Sequence, residues 1–245
     1  MLQIVETTRL SHLPHSMSTI IYANLFSIVN QQVSNLKTYK YFILILFVVT
    51  HVSIASSNKP NIDLLVFGDS LSASYNISTD KGWVSLLDQA LKNKGIESKI
   101  TNASISGETS SGGLVRFKSQ LTKSKPGIVI LELGANDGLR GFDLATTRSN
   151  LTRMINQSHD IGASVILAGI HIPPNYGRTY TRKFDQIYQD LASMKNVSLI
   201  PFILDGVATH KEFMLDDGLH PNEKGQEIMV KTVLKYLLPV IENRK

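Results

Sequence analysis

From residue 62 onward, short, largely apolar runs alternate with longer stretches whose apolar residues recur at a helical period. The runs at 62–67, 127–133 and 164–168 have no polar face. A strand of that kind must be covered on both sides, as in a parallel sheet flanked by helices. The intervening stretches at 82–95, 112–123, 144–161, 179–194 and 222–241 supply the helices, and shorter runs at 99–102 and 198–201 complete five strands. Asn222 precedes the last stretch as a helix cap. The expectation is one α/β domain, a three-layer α/β/α sandwich. In such sheets functional residues gather at the carboxyl ends of the strands.

Three short blocks fall at those ends. Gly-Asp-Ser-Leu (68–71) follows the first strand, Gly-Ala-Asn-Asp (134–137) follows the third, and Asp-Gly-Leu-His-Pro (217–221) lies between the fifth strand and the last helix. A serine hydroxyl is a poor nucleophile at neutral pH and needs a base within hydrogen-bond reach. His220 can be that base, and Asp217 can orient its imidazole and stabilise the charge it acquires. Asn136 can donate an N–H to an oxyanion. The order Ser, Asp, His matches a known triad order, although the Gly-x-Ser-x-Gly elbow of the α/β-hydrolases is absent around Ser70. Each block alone also has a plainer reading: a serine after a strand often caps a helix, and Asp-x-x-His also occurs in loops and metal sites.

Together these residues resemble the SGNH hydrolases, also called the GDSL esterase/lipase family. The resemblance implies Ser70 as nucleophile in the first block. In Asn-Ala-Ser-Ile-Ser-Gly-Glu-Thr-Ser (102–110) it implies the backbone N–H of Gly107 as an oxyanion donor, beside Asn136 and the N–H of Ser70. It implies Asp217 and His220 as the rest of the triad. Leu-Glu-Leu-Gly-Ala-Asn-Asp-Gly-Leu-Arg-Gly-Phe (131–142) and Pro-Pro-Asn-Tyr-Gly-Arg (173–178) are similar to a branch of periplasmic acyl-CoA thioesterases, lysophospholipases and arylesterases of Gram-negative bacteria. Ser74, Glu108 and Ala135 depart from that branch, which commonly has Gly, Asp and Gly there. The resemblance also implies a flavodoxin-like five-stranded sheet of order 2-1-3-4-5, and hydrolysis of acyl esters and thioesters without metal or cofactor. A carbohydrate O-acetylesterase on the same fold is the alternative, with a wide polar cleft in place of an apolar channel; a lipid-binding protein with a vestigial site is a third.

The spacing before the histidine favours Asp217 over Asp216 as the triad acid. Asp69 is expected to bond loop amides and shape the turn, and Asp137 to be structural. His159, His171 and His210 have no evident carboxylate partner and are taken as surface or packing residues. The loops 75–81 and 172–181 are expected to border an acyl pocket, with Tyr75, Leu139, Ile172 and Pro173 as substrate-binding candidates.

The chain has no cysteine, which excludes a thiol nucleophile, a disulfide framework and a thiolate metal site. Its net charge of +5 comes from scattered side chains, without the clustered basic face of a nucleic-acid binder. The expected partners are small acyl substrates, and the expected state is a monomer. Residues 1–57 form an N-terminal extension ahead of the hydrolase domain at 58–245. Within it, Lys37 and Lys40 precede the apolar run 41–54, and Ala55-Ser56-Ser57 follows. That order is the layout of a signal peptide, and the run is short of the ~20 residues of a membrane span. Cleavage near Ser57 is expected to release a periplasmic or secreted protein with no stable membrane span. Residues 1–36 make the leading region unusually long for such a peptide.

Overall fold

The computed structural model describes residues 61–244, together with Ser27; the expected signal segment lies outside the described residues. Five parallel strands form one sheet of order β2-β1-β3-β4-β5. They are β1 (Asn61–Gly68), β2 (Glu97–Asn102), β3 (Ile128–Glu132), β4 (Ser164–Ala168) and β5 (Val197–Ile200). The helices are α1 (Trp83–Asn93), α2 (Ser110–Ser124), α3 (Ala135–Leu139), α4 (Leu144–Asp160), α5 (Arg178–Ala192) and α6 (Glu223–Glu242). The expected fold class and strand order are both found.

Burial follows strand position. Every residue of central β3 is buried, whereas edge strand β2 alternates between exposed and half-buried. That is why the middle strands read as largely apolar runs and the edge strands do not. Helices cover both faces, each through one apolar stripe: Trp83, Leu87 and Leu91 on α1, Phe184, Ile187, Tyr188 and Leu191 on α5. Fully burying one such aliphatic side chain stabilises the fold by roughly 1.5–3 kcal/mol. Three helix starts are fixed by side-chain caps. Thr109, Asp143 and Asn222 accept from the backbone N–H groups of Gly112, Thr146 and Gly225.

Most element ends fall one or two residues from the sequence expectation, as β2 does in starting at Glu97 and not Lys99, and one element was not expected. β5 runs 197–200, not 198–201, and Pro201, with no N–H to give a ladder, lies outside it. The five residues Ala135–Leu139 form a helical turn that periodicity could not reveal, because one turn is too short to show a period.

Candidate active site

β1 ends at Gly68, and the chain turns at once: the N–H groups of Ser72 and Ala73 both donate to the carbonyl of Asp69. Ser70 sits on this turn. Gly68 pairs with Glu132 at the end of β3. A Cβ at position 68 would stand 2.5 Å from Glu132 Oε2, so only glycine fits. The closeness has a use. Glu132 Oε2 accepts from the Asp69 N–H (3.2 Å) and the Ser72 hydroxyl (2.7 Å), which clamps the turn from below. Asn102, at the end of β2, donates to the Ser72 carbonyl at 2.8 Å.

Asp69 extends this network. Its Oδ1 accepts from the Leu71 N–H at 3.1 Å, as the sequence suggested. Its Oδ2 accepts from Asn136 Nδ2 at 3.1 Å. The other end of that amide is also held: Arg140 donates to Asn136 Oδ1 at 3.3 Å, and the same guanidinium nitrogen donates to the Gly107 carbonyl at 3.1 Å. Arg140 thus braces two of the three candidate oxyanion donors at once. Asp137, buried next to them, accepts from the Ser110 N–H, the Ser110 hydroxyl and the Thr147 hydroxyl, tying α3 to the starts of α2 and α4.

The loop after β5 brings up the remaining parts. Leu215 and His220 share a backbone hydrogen bond of 2.7 Å, and an antiparallel bridge joins Met214 to Pro221, so the loop folds back on itself. His220 Nε2 lies 2.8 Å from Ser70 Oγ, and its Nδ1 lies 2.7 Å from Asp217 Oδ2. The partners assign the tautomer: Nδ1–H donates to the carboxylate, leaving Nε2 to accept from the serine hydroxyl. Asp217 Oδ1 accepts from the N–H groups of Leu219 (2.9 Å) and His220 (3.0 Å). Asp217, not Asp216, makes the contact with the imidazole. The Tyr75 ring packs against His220, with centroids 4.3 Å apart.

The electrostatics separate three carboxyls. Partial burial works to raise the pKa of Asp217, but the hydrogen bonds from His220 and Leu219, together with the charge of His220, outweigh it and hold the group below its ordinary value. Burial pushes Asp69 up to about 6, against the bonds from Leu71 and Asn136. Burial, then the neighbouring Asp69, pushes Glu132 well above the ordinary carboxyl range. Two buried carboxyls this close cannot both ionise cheaply, so Asp69, facing Asn136, gives up its proton first and Glu132 holds its own to higher pH.

Ser70, Gly107, Asn136 and His220 open onto one cavity of about 550 Å³. Tyr75, Leu139, Ile172 and Pro173 line it. Ile170, His171, Phe202, Leu204, Met214 and Leu219 line it too and were not singled out from the sequence. The apolar cluster at 202–204 in the long loop after β5 was the available signal. His171 is not merely a packing residue: Nδ1 lies 2.9 Å from Asp185 Oδ1 on α5, and its ring packs on Phe202. A separation of 14 residues hid that pair. Among the described residues no group of three or more His, Asp or Glu side chains could hold a metal ion.

An activated serine, an oriented imidazole and converging N–H donors beside an apolar cavity are suited to acyl transfer. Known proteins agree. Residues 66–228 match the GDSL-like Lipase/Acylhydrolase family. An arylesterase of Vibrio mimicus is 42% identical over 199 residues, covering 80% of this chain and all of that protein. The thioesterase 1/protease 1/lysophospholipase L1 of Escherichia coli K12 is 39% identical over 180 residues, covering 74% of this chain and 85% of that one. A solved crystal structure of TesA, 42% identical, superposes with a TM-score of 0.70, covering 72% of this chain and 98% of that one. The chain therefore belongs to the GDSL-like lipase/acylhydrolase family, the SGNH hydrolases, and is an ester-hydrolysing enzyme.

Proposed function

We propose that Ser70, His220 and Asp217 form the catalytic triad of a serine hydrolase that cleaves acyl esters and thioesters, with arylesters, lysophospholipids and acyl-CoA as its substrate classes. The observation that carries the reading is the continuous chain of bonds from Ser70 Oγ through His220 to Asp217, at 2.8 and 2.7 Å, at the mouth of a cavity lined largely by apolar side chains. Ser70 Oγ attacks the carbonyl carbon while His220 Nε2 takes its proton. The oxyanion is held by the N–H groups of Ser70 and Gly107 and by the Asn136 Nδ2–H that Asp69 leaves free. The intermediate collapses, and His220 gives its proton to the departing alcohol or thiol. Water then attacks the acyl-enzyme with His220 as base again, which frees the acid and restores Ser70. Every group in this sequence comes from one chain, so a monomer suffices for the chemistry, and no step needs a metal or cofactor.

The lining by Leu139, Ile172, Phe202, Leu204 and Met214 favours an acyl chain over a sugar, and so favours this reading over a carbohydrate O-acetylesterase. Hydrolysis of p-nitrophenyl esters from acetyl to decanoyl tests it. Activity should rise beyond acetyl and be abolished by a fluorophosphonate that labels Ser70. A preference for acetyl over every longer chain would return the polar-cleft alternative.

We also propose that residues 37–57 direct export and are cleaved near Ser57, on the basic, apolar, small-residue order of that segment. Mass spectrometry of protein recovered from the periplasm of a Gram-negative host should find a first residue near Asn58. An intact N-terminus would refute cleavage.

A further inference from the structure

Seven large apolar side chains are markedly exposed among the described residues. Five of them fall one on each of the five connections leaving the carboxyl ends of the strands. Tyr75 follows β1, Ile105 follows β2, Phe142 follows β3, Tyr176 follows β4 and Leu219 follows β5. Each is 38–50% exposed. Only Val115, on α2, and Ile161, after α4, lie elsewhere. Scattered exposed apolar residues are normal and need no explanation. One per loop, all on the edge that holds the cavity mouth, is not scatter. Tyr75 and Leu219 line the cavity themselves, and Ile105, Phe142 and Tyr176 stand within three residues of Ser106, Leu139 and Pro174, which also line it.

We propose that these five side chains form a ring that seats the enzyme, mouth downward, on the surface of an aggregated zwitterionic lipid. The proposal rests on the acyl-hydrolase reading above. It explains why the exposed apolar residues gather on the loops beside the opening: with the ring at the boundary between headgroups and chains, an acyl group enters the cavity without crossing water. A protein partner bound there would plug the mouth. Charge selects the lipid. The same five loops expose the carboxylates of Asp80, Asp143, Asp205, Glu212, Asp216 and Asp217 against the cations of Lys81, Arg140 and Lys211. An excess of carboxylates disfavours an anionic surface, whereas a zwitterionic one carries no net field to oppose it. Two of the five are tyrosines, whose apolar ring and polar tip suit such a boundary.

The single tryptophan, Trp83, is fully buried, so an indole placed on the ring reports its own surroundings. Phe142→Trp and Ile105→Trp each put one there, and Val115→Trp puts one on a highly exposed site off the ring. Each protein is mixed with phosphatidylcholine vesicles whose acyl chains are brominated, a short-range quencher. Indoles at 142 and 105 should lose roughly half of their added emission if the ring enters the chain region, and the indole at 115 should lose almost none. Because the readout is local, attachment through another segment cannot mimic it. Equal quenching at all three sites, or none at 142 and 105, overturns the proposal. Stronger quenching by brominated phosphatidylglycerol than by phosphatidylcholine overturns the zwitterionic assignment. Hydrolysis of monomeric p-nitrophenyl butyrate is measured on the same samples. Its absence defeats the hydrolase reading itself, whereas hydrolysis without quenching defeats only the ring.

Discussion

The two ends of the sheet are built on opposite plans. At the amino ends of β2 to β5, each helix returns to its strand through a minimal turn containing one left-handed residue: Gly95, Lys125, Gly162 and Asn196, with φ between 45° and 77°. Backbone bonds such as Ile96 N–H to Leu91 and Ala163 N–H to Ser158 close two of these turns. At the carboxyl ends the connections are long and irregular. They hold buried polar groups, including Asp69, Asp137 and Ser72, which Glu132 at the last position of β3 joins, and expose apolar ones. One end satisfies its backbone with the least chain and has nothing left to do. The other places costly buried carboxyls where they orient the serine turn and the Asn136 amide. Stability is expected to reside in the first plan and chemistry in the second.

The largest test of that division is Ser70→Ala. It should remove nearly all esterase activity, leaving roughly 10³–10⁴-fold over water, with thermal unfolding unchanged. A folded variant keeping more than a few per cent of activity would show that the division is drawn around the wrong residue. Asp217→Asn should cost on the order of 10⁴-fold in turnover, because it reverses the proton on the bond to His220 Nδ1. Asp216→Asn, one residue away and without that bond, should cost far less. The opposite ranking would exchange their roles.

Asn136→Ala removes a donor aimed at charge that develops only in the transition state. The loss should be roughly 2.7–4 kcal/mol, seen in kcat with KM little changed. A loss confined to KM would make Asn136 a ground-state contact.

Glu132→Gln sharpens the comparison through pH. In the unfolded chain Glu132 ionises near 4.5, whereas the fold holds its proton well above that value. The folded state therefore binds more protons, and this contribution to stability falls as pH rises from the unfolded value towards the folded one. The glutamine can still accept from Asp69 N–H and Ser72 without that linkage. Relative to wild type, the variant should gain up to ~1.4 kcal/mol per pH unit across the window, read by urea unfolding between pH 5 and 8. A gap that does not widen with pH would mean that Glu132 is ionised in the fold.

The smallest effect belongs to the amino end. Gly162 has φ +77° and open space where a Cβ would stand, so Gly162→Ala meets only backbone strain. It should cost about 1 kcal/mol by denaturant unfolding and leave kcat/KM unaltered. A fall in activity with stability preserved would break the division from the other side.

Much of this architecture was legible before folding. The central strands declare themselves because both of their faces are buried, so the chain there is almost wholly apolar. Asn222 could be read as a cap because capping acts over three residues. Ser70, Asn136, Asp217 and His220 could be singled out because each lies in a short block of distinctive composition. The Asp217–His220 contact needs only a three-residue spacing, which a tight loop satisfies locally.

Other features were beyond that reach. Glu132 looks like one polar residue ending an apolar strand. Only the pairing of β3 with β1 puts its carboxyl beneath Gly68, 64 residues back in the chain. Arg140 looks like a surface cation until the one-turn helix α3 brings it over Asn136 and the β2 loop places the Gly107 carbonyl beside it. The lining by Phe202, Leu204 and Met214, and the His171–Asp185 pair, likewise depend on where separate loops land. Periodicity, caps and short motifs act over a few residues along the chain, so the sequence alone determined the elements, their stacking and the chemical types at the site. The network that orients those types joins residues up to 150 apart, as Ser70 and His220 are, and only the packing of the sheet decided which of them meet.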